Sequence, residues 1–298
     1  MHERTKALVL GGGGPVGVGW EVGLAAGLAE HGVQLGEADH VVGTSAGSIT
    51  GAFLAAGADP KELAGEVTEI FRRSLDGSGV DVVDVAAVAE LMDLQLGMAD
   101  DGADPATQLA RIGRLALDAS TVDEGSFVRT LTTALEGREW SDRFRCTAVD
   151  AGSGDFAVWA ADSGVPLARA VASSCAVPGI YPPVTIEGRR YLDGGARSPL
   201  NADLAAGHDA VVVVSVMPLQ LPPGLADERF ERYFAAQRAE LDALREAGAD
   251  VEVIEPDETF LEISGYGLAL MDFSRIAAAV DAGRDLGEAV AERIAAAW

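Results

Sequence analysis

The stretch Gly43-Thr-Ser-Ala-Gly47 offers the chain its best nucleophile. A G-x-S-x-G set between a short apolar strand and a helix of small residues is the context of a nucleophile elbow, a cramped turn in which small neighbours admit a strained serine. A helix starting just after Ser45 would add its positive N-terminal end, which favours a developing alkoxide. The bland counterpart is a packing turn, because the same pattern arises by chance in chains rich in Gly and Ala. Upstream, Gly12-Gly-Gly-Pro-Val-Gly17 closes the first apolar run. Its glycines let backbone N–H groups turn toward an anion at a helix N-terminus, which is what an oxyanion hole requires. Gly12, Gly14 and Gly17 also satisfy G-x-G-x-x-G, the dinucleotide fingerprint. That fold wants a carboxylate at the end of its second strand, where this chain has Val41-Val42-Gly43.

A serine hydroxyl needs a base, and the chain holds 4 histidines. His2 is near the terminus and His31 sits in a helix-stop signal. His40 begins the strand that leads to Ser45, at the far end from the elbow. His208 completes the order Ser, Asp, His. It precedes a valine-rich strand, however, on the edge opposite the one where open α/β sheets build their sites. A surface-loop histidine is the alternative there. The remaining base is Asp193 in Tyr191-Leu-Asp-Gly-Gly195, with two glycines leaving room around it. Standing alone, an Asp before two glycines would simply initiate a turn.

Taken together, these motifs resemble the patatin-like phospholipase family. Two further stretches look like it, Ala172-Ser-Ser-Cys-Ala-Val-Pro-Gly-Ile-Tyr-Pro-Pro183 and Arg197-Ser-Pro-Leu-Asn201, and the likeness covers residues 5–217. The resemblance implies a Ser45–Asp193 dyad acting on lipid esters with no metal and no cofactor. It implies an oxyanion hole from Gly12, Gly13, Gly14 and the Ala46 amide, with Gly17, Gly43, Gly47, Gly194 and Gly195 as motif positions. Phospholipase A, lipase or esterase chemistry is the expected activity. An acyltransferase or thioesterase using the same dyad, and a non-catalytic binding protein on the same fold, are the alternatives. One departure concerns Pro15-Val16, where many members carry Arg or Lys. Pro15 has no N–H to donate.

These parts need elements to position them. The apolar run Lys6–Leu10 predicts a strand, and residues 18–30 predict a helix that stops at His31-Gly32. Residues 40–42 predict a second strand, and residues 47–56, small or apolar nearly all round, a helix buried on several sides. The region 59–139 reads as helical, in pieces such as 60–73, 105–117 and 126–136, between acidic loops such as 98–104. Residues 143–149 and 155–160 predict a strand pair, residues 184–186 and 190–192 two short strands, and residues 210–216 a buried strand. Helices at 227–247 and 273–297 flank a strand at 251–254. Strands alternating with helices predict an α/β fold, a three-layer α/β/α architecture with a mainly parallel central sheet, patatin-like. One domain is expected to span residues 1–298, with a motif core at 5–217 and a C-terminal helical extension at 225–298.

Composition narrows the partners. The chain has 298 residues, 48% of them hydrophobic, enough to bury a large core. Its 22 Lys+Arg against 47 Asp+Glu give a net charge of −25, which argues against nucleic acid and against long-range attraction to anionic lipid. A lipid or small ester substrate is the expected partner, with any membrane surface contact transient and resting on local apolar patches. Oligomeric state is not readable. Cys146 and Cys175 make no disulfide framework and no zinc spacing. No apolar signal region precedes the first strand, so a cytoplasmic location is the default expectation.

Overall fold

The computed structural model describes residues 4–77, 79, 104–220 and 228–298. Side-chain alternation in β1 (Lys6–Leu10) sets up two packed faces. Leu8 and Leu10 join one apolar cluster, while Ala7 and Val9 join another on the opposite side, as the two-residue period of a strand requires. The other strands are β2 (His40–Gly43), β3 (Phe144–Asp150), β4 (Phe156–Trp159), β5 (Val184–Ile186), β6 (Arg189–Asp193), β7 (Ala210–Val214) and β8 (Asp250–Ile254). Among the described residues they form one sheet in the order β5–β6–β3–β2–β1–β7–β8, with β4 beside β3. The run β3–β2–β1–β7–β8 is parallel throughout, and β4, β5 and β6 add antiparallel pairs at one side. The valines of β7 are buried on both faces, which is why that strand reads as a continuous apolar run.

Register decides where the functional turns emerge. Leu10 pairs with Gly43 on one side and Val214 on the other, so the turns after β1, β2 and β7 leave the sheet at one edge. Gly43 pairs with Cys146, and two residues further along β3, Ala148 pairs with Asp193. Asp193, arriving on an antiparallel strand, therefore stands level with the residues just beyond the end of β2.

Helices cover both faces. On the first lie α1 (Gly14–Glu30), α2 (Ala46–Ala55), α3 (Pro60–Leu75), α5 (Glu124–Ala134), α6 (Leu167–Ser174) and α9 (Ile276–Ala297). On the second, α7 (Glu228–Glu246) adds Leu241 and Leu244 to the cluster of Ala7 and Val9, and α4 (Pro105–Asp118) packs Leu109 and Ile112 against Val149 and Leu192. The short α8 (Glu258–Ile263) follows β8. The closest helix pair is α1 with α9. A Cβ at Gly23 would lie 2.0 Å from the Val280 carbonyl oxygen, and one at Gly283 would lie 2.1 Å from that of Trp20. Only glycines allow the two backbones to come that near.

The expected α/β architecture with a largely parallel sheet is what forms. Differences are local. Helix α1 begins at Gly14, four residues earlier than expected, because Pro15 fits the first turn, where its missing N–H is not needed. β7 ends at Val214, two residues early, and Val216 turns beneath Gly13 and Gly17 instead. The last helix starts at Ile276, after a 3₁₀ turn at Phe273–Arg275. Helix α6 was not foreseen. Of the expected acidic loop at 98–104, residues 98–103 lie outside the described residues, as does residue 227 of the expected helix. No helix among the described residues is long and apolar enough to cross a membrane.

Candidate active site

Ser45 sits between β2 and α2 with φ 53° and ψ −115°. A non-glycine residue at positive φ stores backbone strain, and here glycines on both sides make it possible. A Cβ at Gly43 would stand 2.4 Å from the Gly47 oxygen, and one at Gly47 would stand 2.1 Å from the Leu10 oxygen. The strained peptide is held from two directions. Its N–H donates to the Ser174 hydroxyl at 3.0 Å, and its carbonyl accepts from the Ser48 hydroxyl at 2.6 Å and the Cys175 thiol at 3.3 Å.

Asp193 closes β6 and is 4% exposed. Burial raises its carboxyl from the ordinary 3.8 to about 7, against the opposing pull of the Ser45 hydroxyl and the Gly195 N–H. The latter donates to Oδ1 at 2.7 Å. Gly194 is forced by crowding, since a Cβ there would lie 2.1 Å from Thr147 Oγ1. A carboxyl raised toward neutrality beside a serine hydroxyl has the properties that general-base activation of a nucleophile requires.

The glycine loop faces the same point. A Cβ on Gly12 would meet Ser45 Cβ at 3.4 Å. Gly13 has no room for a side chain above Val216, and Gly14 has φ 58°. Gly12, expected among the oxyanion donors, is corrected by the fold: its N–H is spent on the Pro199 carbonyl at 2.9 Å. The N–H groups of Gly13, Gly14 and Ala46 have no acceptor among the described residues, the last two opening α1 and α2. Gly17 donates back to the Gly13 oxygen and so closes the loop.

The histidines lie elsewhere. His40 and His208 stack on one another, ring centroids 5.0 Å apart, at the starts of β2 and β7 and thus at the opposite sheet edge. Burial, then the charges of His208 and Arg145, lower His40 to about 4. No group of three or more His, Cys, Asp and Glu among the described residues could hold a metal ion.

Several residues at the site were given no individual role by the sequence, although Asn201 and Cys175 stand in the two further family-like stretches. Asn201, fully buried at φ 50°, donates through Nδ2 to the Ser198 oxygen at 2.7 Å and to Thr44 Oγ1 at 3.0 Å, while its Oδ1 accepts from Arg197 at 2.7 Å. It ties the elbow to the segment that follows Asp193. Glu21 of α1 is also fully buried, and neither its carboxyl oxygens nor the Thr50 hydroxyl facing it completes a hydrogen bond. Burial pushes Glu21 well above the ordinary carboxylate range. The Cys175 thiol lies within the field of both acids and is pushed up by burial first, then by Asp193, with a smaller push from Glu21.

From Ser45 a narrow apolar pocket runs between α3, α5 and the segment before α9. Phe127 stacks on Tyr181 at 4.6 Å, and Phe71 meets Phe273 edge-on at 5.9 Å; all four rings line it.

The sequence model of the patatin-like phospholipases matches residues 8–206, more than half of the chain. The chain belongs to the patatin-like phospholipase family. This patatin-like protein is accordingly a hydrolase acting on lipid ester bonds. Among solved structures it is similar to the crystal structure of VipD from Legionella pneumophila, at 15% identity and a TM-score of 0.47, over 98% of this chain and 67% of VipD. It is also similar to the type III effector protein ExoU, at 16% identity and a TM-score of 0.36, over 94% of this chain and 53% of that one. The patatin-like chain thus spans about half the length of ExoU. No curated protein sequence matches it.

Proposed function

We propose that this patatin-like hydrolase cleaves carboxylic esters of lipids through a Ser45–Asp193 dyad, with the N–H groups of Gly13, Gly14 and Ala46 as the oxyanion hole. The observation that carries the reading is the buried Asp193, raised to about 7 beside the hydroxyl of a strained serine. Ser45 Oγ attacks the acyl carbonyl carbon while Asp193 takes its proton. The tetrahedral oxyanion is held by backbone donors already aimed at it, which costs no reorganisation at the moment of reaction. Asp193 returns the proton to the departing alcohol, leaving acyl-Ser45. A water then gives its proton to Asp193 and attacks the ester. Collapse frees the fatty acid and restores the serine.

The pocket supports an acyl chain as the group transferred. Its walls offer almost no polar contact, so an alkyl chain gains about 0.8 kcal/mol for each methylene it buries. The stacked histidines at the far edge leave Asp193 as the base within reach of Ser45. The cytoplasmic placement is part of this proposal, supported by two buried free thiols, Cys146 and Cys175. Hydrolysis of a p-nitrophenyl ester of medium chain length, combined with labelling by a fluorophosphonate, tests the reading. Wild type is expected to turn over and to label, and Ser45→Ala to do neither; full turnover by Ser45→Ala would reject it.

A further inference from the structure

The segment between α8 and α9 lies outside the family match, yet it borders the pocket. Met271 and Phe273 line the cavity at Ser45. The Leu270 carbonyl accepts the Val16 N–H at 3.1 Å, and a Cβ on Gly14 would come within 2.6 Å of that same oxygen. The segment is thereby pinned against the loop that carries the oxyanion donors. Its backbone turns through three successive residues at positive φ, Gly265, Tyr266 and Gly267.

Its outer side is unusual for a water-facing loop. Leu268 and Tyr266 are 55% and 59% exposed, the two most exposed large apolar side chains among the described residues. Ala269, Leu270 and Met271 follow directly, and none is buried. Leu270 and Met271 pack partly on the core, so Leu268 and Tyr266 are the apolar side chains of this segment that the fold leaves outside, and such exposure beside a pocket points to function. Tyr266 keeps its hydroxyl on Glu258 at 2.6 Å, an amphipathic arrangement suited to the boundary between water and lipid. The charges close by are carboxylates: Glu258 and Glu262 are exposed, and Asp272 is already paired with Arg275.

We propose that residues 266–271 form the lipid-docking surface of this protein, seating Leu268 and Tyr266 in a zwitterionic phospholipid surface so that the acyl chain enters the pocket beside Met271 and Phe273. The proposal rests on the reading of that pocket as the acyl site. Zwitterionic rather than anionic lipid is the occupant because the flanking carboxylates and the net charge of −25 repel a negative surface.

The test uses the full chain and two substrates. Flotation with phosphatidylcholine vesicles is expected to carry the wild type, and replacing a third of the lipid with phosphatidylglycerol is expected to weaken it. Leu268→Asp should lower both flotation and hydrolysis of vesicle phospholipid at least tenfold. It should leave turnover of a water-soluble short-chain p-nitrophenyl ester within twofold. Leu115→Asp, at an exposed leucine on α4, should change neither readout. Undiminished flotation of Leu268→Asp, an equal loss with Leu115→Asp, or preference for the anionic vesicles would each overturn the proposal. Loss of the soluble-ester reaction in wild type would instead count against the Ser45 reading, since flotation reports docking without chemistry.

Discussion

Two buried carboxylic acids, Asp193 beside the proposed nucleophile Ser45 and Glu21 beside Thr50, are treated by the protein in opposite ways. Asp193 lies in a turn at the sheet edge, where the Gly195 N–H and the Ser45 hydroxyl both reach it. Glu21 lies inside helix α1, facing Thr50 of α2, with both carboxyl oxygens unpartnered. Burial raises both acids, but partners bring Asp193 back to about 7, while Glu21 stays well above its ordinary value. The lesson is that burial alone makes a carboxyl silent at neutral pH. Burial moderated by a few donors brings its pKa to where a general base works best, which is the role proposed for Asp193.

Activity breaks the comparison most sharply. Asp193→Asn keeps the shape of the turn and removes the proton acceptor, so kcat for ester hydrolysis should fall by about 10³-fold, within the range a positioned base contributes. Glu21→Gln should leave kcat within about threefold, because that carboxyl has no route to the reacting atoms. Steady-state kinetics on both variants, with folding checked by circular dichroism, decides it. Equal losses would mean that the two acids act as one unit.

The pH profile sharpens the same contrast. Only ionised Asp193 can accept a proton, so kcat/KM should rise about tenfold per pH unit at acid pH and level off above about 7. His40, lowered to about 4, sits at the opposite sheet edge and cannot supply that midpoint. The same profile should persist in Glu21→Gln.

Stability gives the smallest effect. Both acids have native pKa values above their unfolded ones, 3.8 for Asp193 and 4.5 for Glu21. The native state therefore holds protons that the unfolded chain has released, and stability falls as pH rises above those unfolded values. Asp193 contributes that fall up to about pH 7, and Glu21 continues it to higher pH. Urea unfolding between pH 5 and 9 should show the decline, and Glu21→Gln should flatten its upper part. The difference is on the order of 1–3 kcal/mol at the alkaline end, the cost of an unsatisfied buried polar group.

What the sequence made legible follows from the range of the interactions involved. The elbow was readable because its causes are local: a short strand, Gly43 and Gly47 flanking the serine, and a helix of small residues. The level at which Asp193 stands was not, since it depends on the antiparallel pairing of Ala148 with Asp193. Helix α6 is only eight residues long, barely two turns, so its apolar spacing had no length over which to stand out, and its contribution is a hydroxyl that binds the Ser45 N–H from 129 positions away. The loss of Gly12 as a donor turns on the Pro199 carbonyl, equally remote. Glu21 reads as an ordinary polar member of a helix until α2 brings Thr50 against it in the core. Met271 and Phe273 bore no motif, and only the folded chain brings them to the pocket.

The central claim is that Asp193 activates Ser45 for covalent attack, and trapping the intermediate tests it most directly. Wild type and Asp193→Asn would be acid-quenched within milliseconds of mixing with a p-nitrophenyl ester and examined by intact-protein and peptide mass spectrometry. Wild type is predicted to carry one acyl group on Ser45, formed about 10³-fold faster than in Asp193→Asn. An acyl group on another residue, or one that forms on Ser45 just as fast without the Asp193 carboxylate, would contradict the account.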